Sequence, residues 1–134
     1  MPPSRRKGYE KERELVHLLE KKGWWASRLP ASGKQAHFDV VAARKGRLIL
    51  IEVKAKKEGA LVRLPRWRWE ESLRAAANAG AEAHLALRVP AGPQGAKWWL
   101  RPLDTPDYAS QRSVVFHPPE RAASRWVRLE EAIP

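Results

Sequence analysis

The chain has no cysteine, one methionine and one asparagine among its 134 residues. Without cysteine there can be no disulfide framework, thiol nucleophile or thiolate metal site, so a small secreted scaffold gives way to a cytoplasmic protein. Long apolar runs are missing as well. Nothing approaches the roughly 20 residues that span a bilayer, and the basic start MPPSRRKG leads into a charged segment instead of an apolar signal core. Membrane and export roles are therefore not expected. Acidic residues are the other shortage: Lys and Arg number 26 against 15 Asp and Glu, a formal net charge of +11. A hydrophobic fraction of 43% nevertheless argues against a disordered polyelectrolyte. The length suits one domain, residues 1–134, with a single core.

The charge is unevenly placed. Residues 1–67 carry 17 Lys and Arg against 7 Asp and Glu, whereas residues 68–134 carry 9 against 8. Concentrated positive charge attracts polyanions, and nucleic acid is the commonest partner because neutralising phosphates releases counterions. Acidic proteins, anionic membrane surfaces and a merely solvated basic face are the alternatives.

Residue patterning predicts a basic N-terminal arm over residues 1–8, then a helix from Glu10 to Lys22 with Leu15, Leu18 and Leu19 on its inward stripe and Gly23 as its stop. A short strand over Trp24–Leu29 and a loop at Pro30–Lys34 follow. Phe38–Ala43 and Leu48–Val53 read as a hairpin, Pro65–Ala79 as a second helix, and Ala83–Val89 and Lys97–Leu100 as two further strands. The segment 104–134 is rich in Pro, Ser and charge, and only Ser124–Ile133 suggests another ordered piece. The expected class is α/β, with a mixed central sheet of about five strands flanked by helices.

If the hairpin closes on a two-residue Lys45-Gly46 turn, Val41 faces Leu50 and Asp39 faces Glu52. Two carboxylates placed opposite each other, with Cβ atoms about 5 Å apart, repel unless a cation neutralises them. Lys54 shares their face because strand side chains alternate. Mg²⁺ typically takes one or two carboxylates and keeps waters and phosphate oxygens. It can activate a water for attack on a phosphodiester. Glu12 lies on the inward stripe of the first helix and is a third candidate acid. The plainer alternatives are an N-terminal helix charge for Glu12 and a surface ion-pair network of Asp39 and Glu52 with Lys54 and Arg44.

Arg6-Lys7-Gly8, Glu12 to Val16, Arg28, Pro30 to Gly33, Asp39 to Ala42 and Ile51-Glu52-Val53-Lys54 together resemble the archaeal Holliday junction resolvases, the Hjc family of the PD-(D/E)xK nuclease superfamily. The likeness is close over residues 5–57 and rests on element order beyond. It implies a single-domain nuclease in which Glu12, Asp39 and Glu52 surround Mg²⁺, with Mn²⁺ substituting, and Lys54 assists the attacking water. It further implies a catalytic role for Ser32 beside the cleaved strand and DNA contacts from Arg13 and Arg28. Arg6, Lys7, Gly8, Gly33, Lys34, Lys56 and Lys57 are further candidate DNA contacts. The partners implied are a four-way DNA junction and a second copy of the chain, the homodimer making paired symmetric nicks. One departure is Phe38, which stands where the family has proline before the motif aspartate. The rival readings are another PD-(D/E)xK endonuclease, restriction-like or repair, and a non-catalytic branched-DNA-binding module.

Seven tryptophans are many for this length. Core packing accounts for at least half of them, and Trp67 or Trp69 is the candidate for an interface. The four histidines show no metal-ligand spacing; His37 alone lies near the acids, as a phosphate contact or a plain loop residue.

Overall fold

The structure, a computed structural model, describes residues 3–30, 38–121 and 124–133. Its organising element is a six-stranded sheet in the order β1-β2-β3-β5-β6-β9. The strands are β1 (Trp25–Arg28), β2 (Val40–Arg44), β3 (Arg47–Ala55), β5 (Glu82–Pro90), β6 (Ala96–Pro102) and β9 (Val127–Arg128). Among the described residues only β3 and β5 of this sheet run parallel; every other neighbouring pair is antiparallel. A second sheet of three short strands holds β4 (Val62–Pro65), β8 (Ser113–Phe116) and β7 (Tyr108–Ala109), in the order β4-β8-β7.

The alternation of side chains divides the core in two. Val40 and Ala42 of β2, Ile49 and Ile51 of β3, and Ala86 of β5 face α1 (Pro3–Lys21), which contributes Leu15 and Leu19. Leu129 and Ile133 complete this layer from the C-terminal end, where α3 (Leu129–Ala132) lies. On the opposite face Leu85, Leu87 and Val89 pack with Val62, Leu64, Val114 and Phe116 of the small sheet and with Ala76 of α2 (Arg66–Asn78). A strand covered on both faces reads as a nearly continuous apolar run, as β5 does.

Local chemistry sets the element ends. α1 closes in a Schellman arrangement: Gly23, at φ 89°, donates to the Glu20 carbonyl at 3.0 Å and Trp24 donates to the Leu19 carbonyl at 3.1 Å. The hairpin between β2 and β3 turns on Lys45 at φ 48° and Gly46 at φ 84°. Two positive φ values are the signature of a type I′ turn, whose twist matches that of the strands. The expected register therefore holds: Arg44 opposes Arg47 and Val41 opposes Leu50.

Two expectations are corrected, the N-terminal arm and the loose C-terminal segment. α1 begins at Pro3, so Arg6, Lys7 and Gly8 belong to a helix and not to a separate arm. Proline suits a first helical turn, whose N–H groups lack intrahelical partners, and Gly8 costs a helix about 1 kcal/mol without breaking it. The mixed central sheet of about five strands is as expected, with six among the described residues, the added one being β9. The stretch from Asp104 is built around Arg101, which is buried. Its guanidinium donates to Asp107 at 3.0 Å and to the Thr105 carbonyl, and lies over the rings of Phe116 and Trp126. One charged side chain thereby organises a segment whose composition resembles a loop.

Candidate active site

The acids converge at the open end of the β2–β3 hairpin, away from its turn. The backbone ladder stops at the pair Val40–Ile51, one step short of Asp39 and Glu52. Asp39 occupies a bend, where its own N–H donates to the Ile51 carbonyl at 2.9 Å and its carbonyl accepts from Leu29 at 2.9 Å. Its Oδ2 accepts the N–H of Val53 at 2.7 Å. A side chain thus continues the pairing that the backbone abandons. The expected direct cross-strand facing of Asp39 and Glu52 gives way to this capped arrangement, because the chain must leave the strand at Phe38.

Glu52 is 2% exposed, and its Oε1 lies 3.1 Å from a guanidinium nitrogen of Arg68 on α2. Glu12 approaches from the α1 side, its Oε1 accepting from Nε of Arg28 at 3.1 Å. The Arg28 guanidinium in turn lies 3.8 Å from the centre of the Tyr9 ring. Burial raises the Asp39 carboxyl above its ordinary value, against the pull of the Val53 N–H and the positive charges of Lys54, Arg68 and Arg28. Glu12 is raised chiefly by burial and then by the negative charge of Asp39, with Arg28 opposing. The raised values and the electrostatic coupling put Glu12, Asp39, Lys54, Arg28 and Arg68 in one field. Carboxylates held against their preference are a mark of functional sites.

Three carboxylates without histidine or sulfur provide hard oxygen donors, and that donor chemistry fits Mg²⁺ or Mn²⁺. Among the described residues no three such groups form a ready-made metal cluster; here arginines engage Glu12 and Glu52.

Other candidate residues fall in several places. Arg13 is exposed on α1, and Lys56 and Lys57 are exposed just beyond β3. Arg6, Lys7 and Gly8 lie in the first turns of α1. Ser32, Gly33, Lys34 and His37 lie outside the described residues. Trp69 is half-buried and donates to the Leu103 carbonyl at 2.8 Å, whereas Trp67 is 64% exposed. Residue patterning missed Arg68, which stands three positions after Pro65 on α2 and reaches a strand 16 residues earlier in the chain. It also missed Glu14, which accepts from Arg88 at 3.0 and 3.2 Å and from the Trp98 indole at 2.6 Å. Glu14 sits one turn before Leu18, and only the fold brings its two partners beside it.

A mixed sheet with helices on both faces, its acids and lysine gathered at the end of a central hairpin, is a nuclease fold of the PD-(D/E)xK type. A family model described as archaeal Holliday junction resolvase (Hjc) matches residues 3–121, and the chain belongs to that family. Over 93 residues it is 33% identical to a crossover junction endodeoxyribonuclease Hjc of Sulfurisphaera tokodaii, covering 67% of this chain and 65% of the relative. Over 86 residues it is 36% identical to the corresponding protein of Sulfolobus acidocaldarius, covering 62% and 60%. The alignments thus span just under two thirds of these curated relatives. The solved structure of Archaeoglobus fulgidus Hjc, a Holliday junction resolvase, superposes with a TM-score of 0.76 at 26% identity, covering 95% of each chain. Among the described residues no helix is long and apolar enough to cross a membrane.

Proposed function

We propose that this protein is a structure-selective endodeoxyribonuclease that resolves four-way DNA junctions by paired symmetric nicks. The observation that carries the reading is the gathering of Glu12, Asp39 and Glu52 with Lys54 at one end of the hairpin in a chain of the Hjc family. Glu12, Asp39 and Glu52 would hold Mg²⁺, or Mn²⁺ in its place. Bound there, the ion would supply an activated water and neutralise charge on the phosphodiester. Lys54 shares the Glu52 face of β3, so its ammonium orients the attacking water or holds the scissile phosphate. Asp39, fixed by the Val53 N–H, presents its carboxylate without a rotamer search. Ser32 is assigned to the cleaved strand. Exposed Arg13, Lys56 and Lys57 suit backbone phosphates, which position a substrate without reading its sequence, and Arg6, Lys7, Gly8, Arg28, Gly33 and Lys34 are assigned to the same surface. Trp67 is the anchor assigned to a homodimer, the state that would pair two sites for opposed nicks. A cysteine-free, DNA-acting chain suits the cytoplasm.

An immobile four-way junction with separately labelled strand ends tests the reading. Symmetric paired nicks in Mg²⁺ and none in EDTA are expected. Equal cleavage of junction, flap and linear duplex would replace the resolvase with a general endonuclease, and tight binding without a cut would replace it with a binding module. Light scattering should give about twice the 15.3 kDa chain mass; a monomer on junction DNA contradicts the dimer.

A further inference from the structure

Glu52 is the most deeply buried of the three acids, and a carboxylate in that position needs a cation. Arg68 supplies one from outside the hairpin. Its guanidinium stands 3.1 Å from Glu52 Oε1, and its positive charge is also felt by Asp39. Arg68 is the third residue of α2, a helix that contributes none of the residues the resemblance assigns to the site. Its own side chain is 34% exposed, so the charged head sits at the rim between the buried acid and solvent. The carboxylate oxygen it engages belongs to a residue assigned to a divalent ion, and two cations cannot share that oxygen without strong repulsion.

We propose that Arg68 is a built-in competitor for the metal: it neutralises and positions Glu52 while the ion is absent and opposes the ion's binding to the same carboxylate. The inference rests on the assignment of Glu52 as a metal ligand. It makes Arg68 a positioning residue whose contact with Glu52 and the ion's contact with Glu52 are negatively coupled. Arg68 thereby stabilises buried Glu52 in the metal-free protein at the expense of metal affinity.

The test is calorimetric titration of Mn²⁺ into the DNA-free protein, with thermal unfolding followed in EDTA and in excess Mn²⁺. Arg68→Gln should tighten Mn²⁺ binding by about tenfold, within the range typical of coupled sites. It should also lower Tm in EDTA and recover most of that loss in Mn²⁺. Arg68→Lys, which keeps a cation but loses the planar fork, should fall between. It decides the matter should Arg68→Gln fail to fold. Equal or weaker Mn²⁺ affinity in the variants, or a Tm deficit that is the same with and without Mn²⁺, overturns the proposal and leaves Arg68 a structural ion pair. Glu52→Gln serves as the control: unchanged Mn²⁺ binding there overturns the metal assignment itself, and this proposal with it.

Discussion

At the scale of single residues, the site is a set of carboxylates held under electrostatic stress. Burial raises both Asp39 and Glu12. Between their ordinary values and the higher native ones the folded chain binds more protons than the unfolded chain, so these groups make stability fall as pH rises through the native values. Asp39→Asn keeps an oxygen for the Val53 N–H while removing the charge. The metal-free variant should therefore melt higher than the parent at neutral pH, with the gap closing toward pH 4, as thermal melts across pH would show; a parent that melts higher at neutral pH refutes the argument. Glu82 behaves oppositely. Its paired contacts with Arg47 depress it to about 2, so its stabilisation is complete above the ordinary value of 4.5 and is lost as pH falls toward 2. Because both side chains are nearly half exposed, solvent screening keeps that contribution below about 1 kcal/mol. For catalysis, Glu52→Gln should abolish metal-dependent cleavage while junction binding in a gel-shift assay stays within a few-fold. Lys54→Ala should slow cleavage by at least about a hundredfold, the scale of one positioned catalytic group, with Mn²⁺ affinity retained.

Secondary-structure elements are joined here by a few buried or half-buried polar contacts. Glu14 ties α1 to β5 and β6 through Arg88 and Trp98. Glu14→Ala should cost about 1–2 kcal/mol in urea unfolding, since the carboxylate is partly solvated and some of its hydrogen bonding is recovered by water. Arg101 is fully enclosed, and Arg101→Met strands Asp107 against the backbone of His117; a loss of about 3 kcal/mol is expected by the same measurement. The same contrast between near and distant contacts explains what could be read from the chain alone. The β2–β3 hairpin was legible because its turn and register are local, and Glu52 and Lys54 followed from the two-residue period of a strand. The β4–β8 pairing was not, since Val62 meets Phe116 across more than 50 residues and neither four-residue strand has a signal of its own. Arg68 escaped for the same reason: helical spacing says which face of α2 it occupies but not that the face covers Glu52. Gly8 misled by looking like a boundary where the helix simply tolerates it.

For the whole molecule, the C-terminal segment is structural cement. Trp126 belongs to the core on the α2 face, while Leu129 and Ile133 belong to the core on the α1 face, so residues 124–133 seal both sides of the sheet. Truncation after residue 123 removes three buried apolar side chains, each worth about 2–5 kcal/mol. That sum rivals the total stability of a domain. Such a chain should be insoluble or molten, judged by loss of near-ultraviolet circular dichroism. The contact between Glu14 and the Arg88 and Trp98 side chains spans 74 and 84 residues of sequence. Closing so long a loop makes this late in refolding, after the hairpin has zipped. During synthesis it means that Glu14 leaves the ribosome long before Arg88 and Trp98, whereas β1, β2 and β3, on which Leu15 and Leu19 pack, follow it closely. Until residues 88–98 emerge, α1 can pack on β1 to β3 but lacks the polar tie of Glu14 to β5 and β6. In that interval the helix is held by its leucines alone, and the Glu14 carboxylate stays hydrated until its two donors arrive.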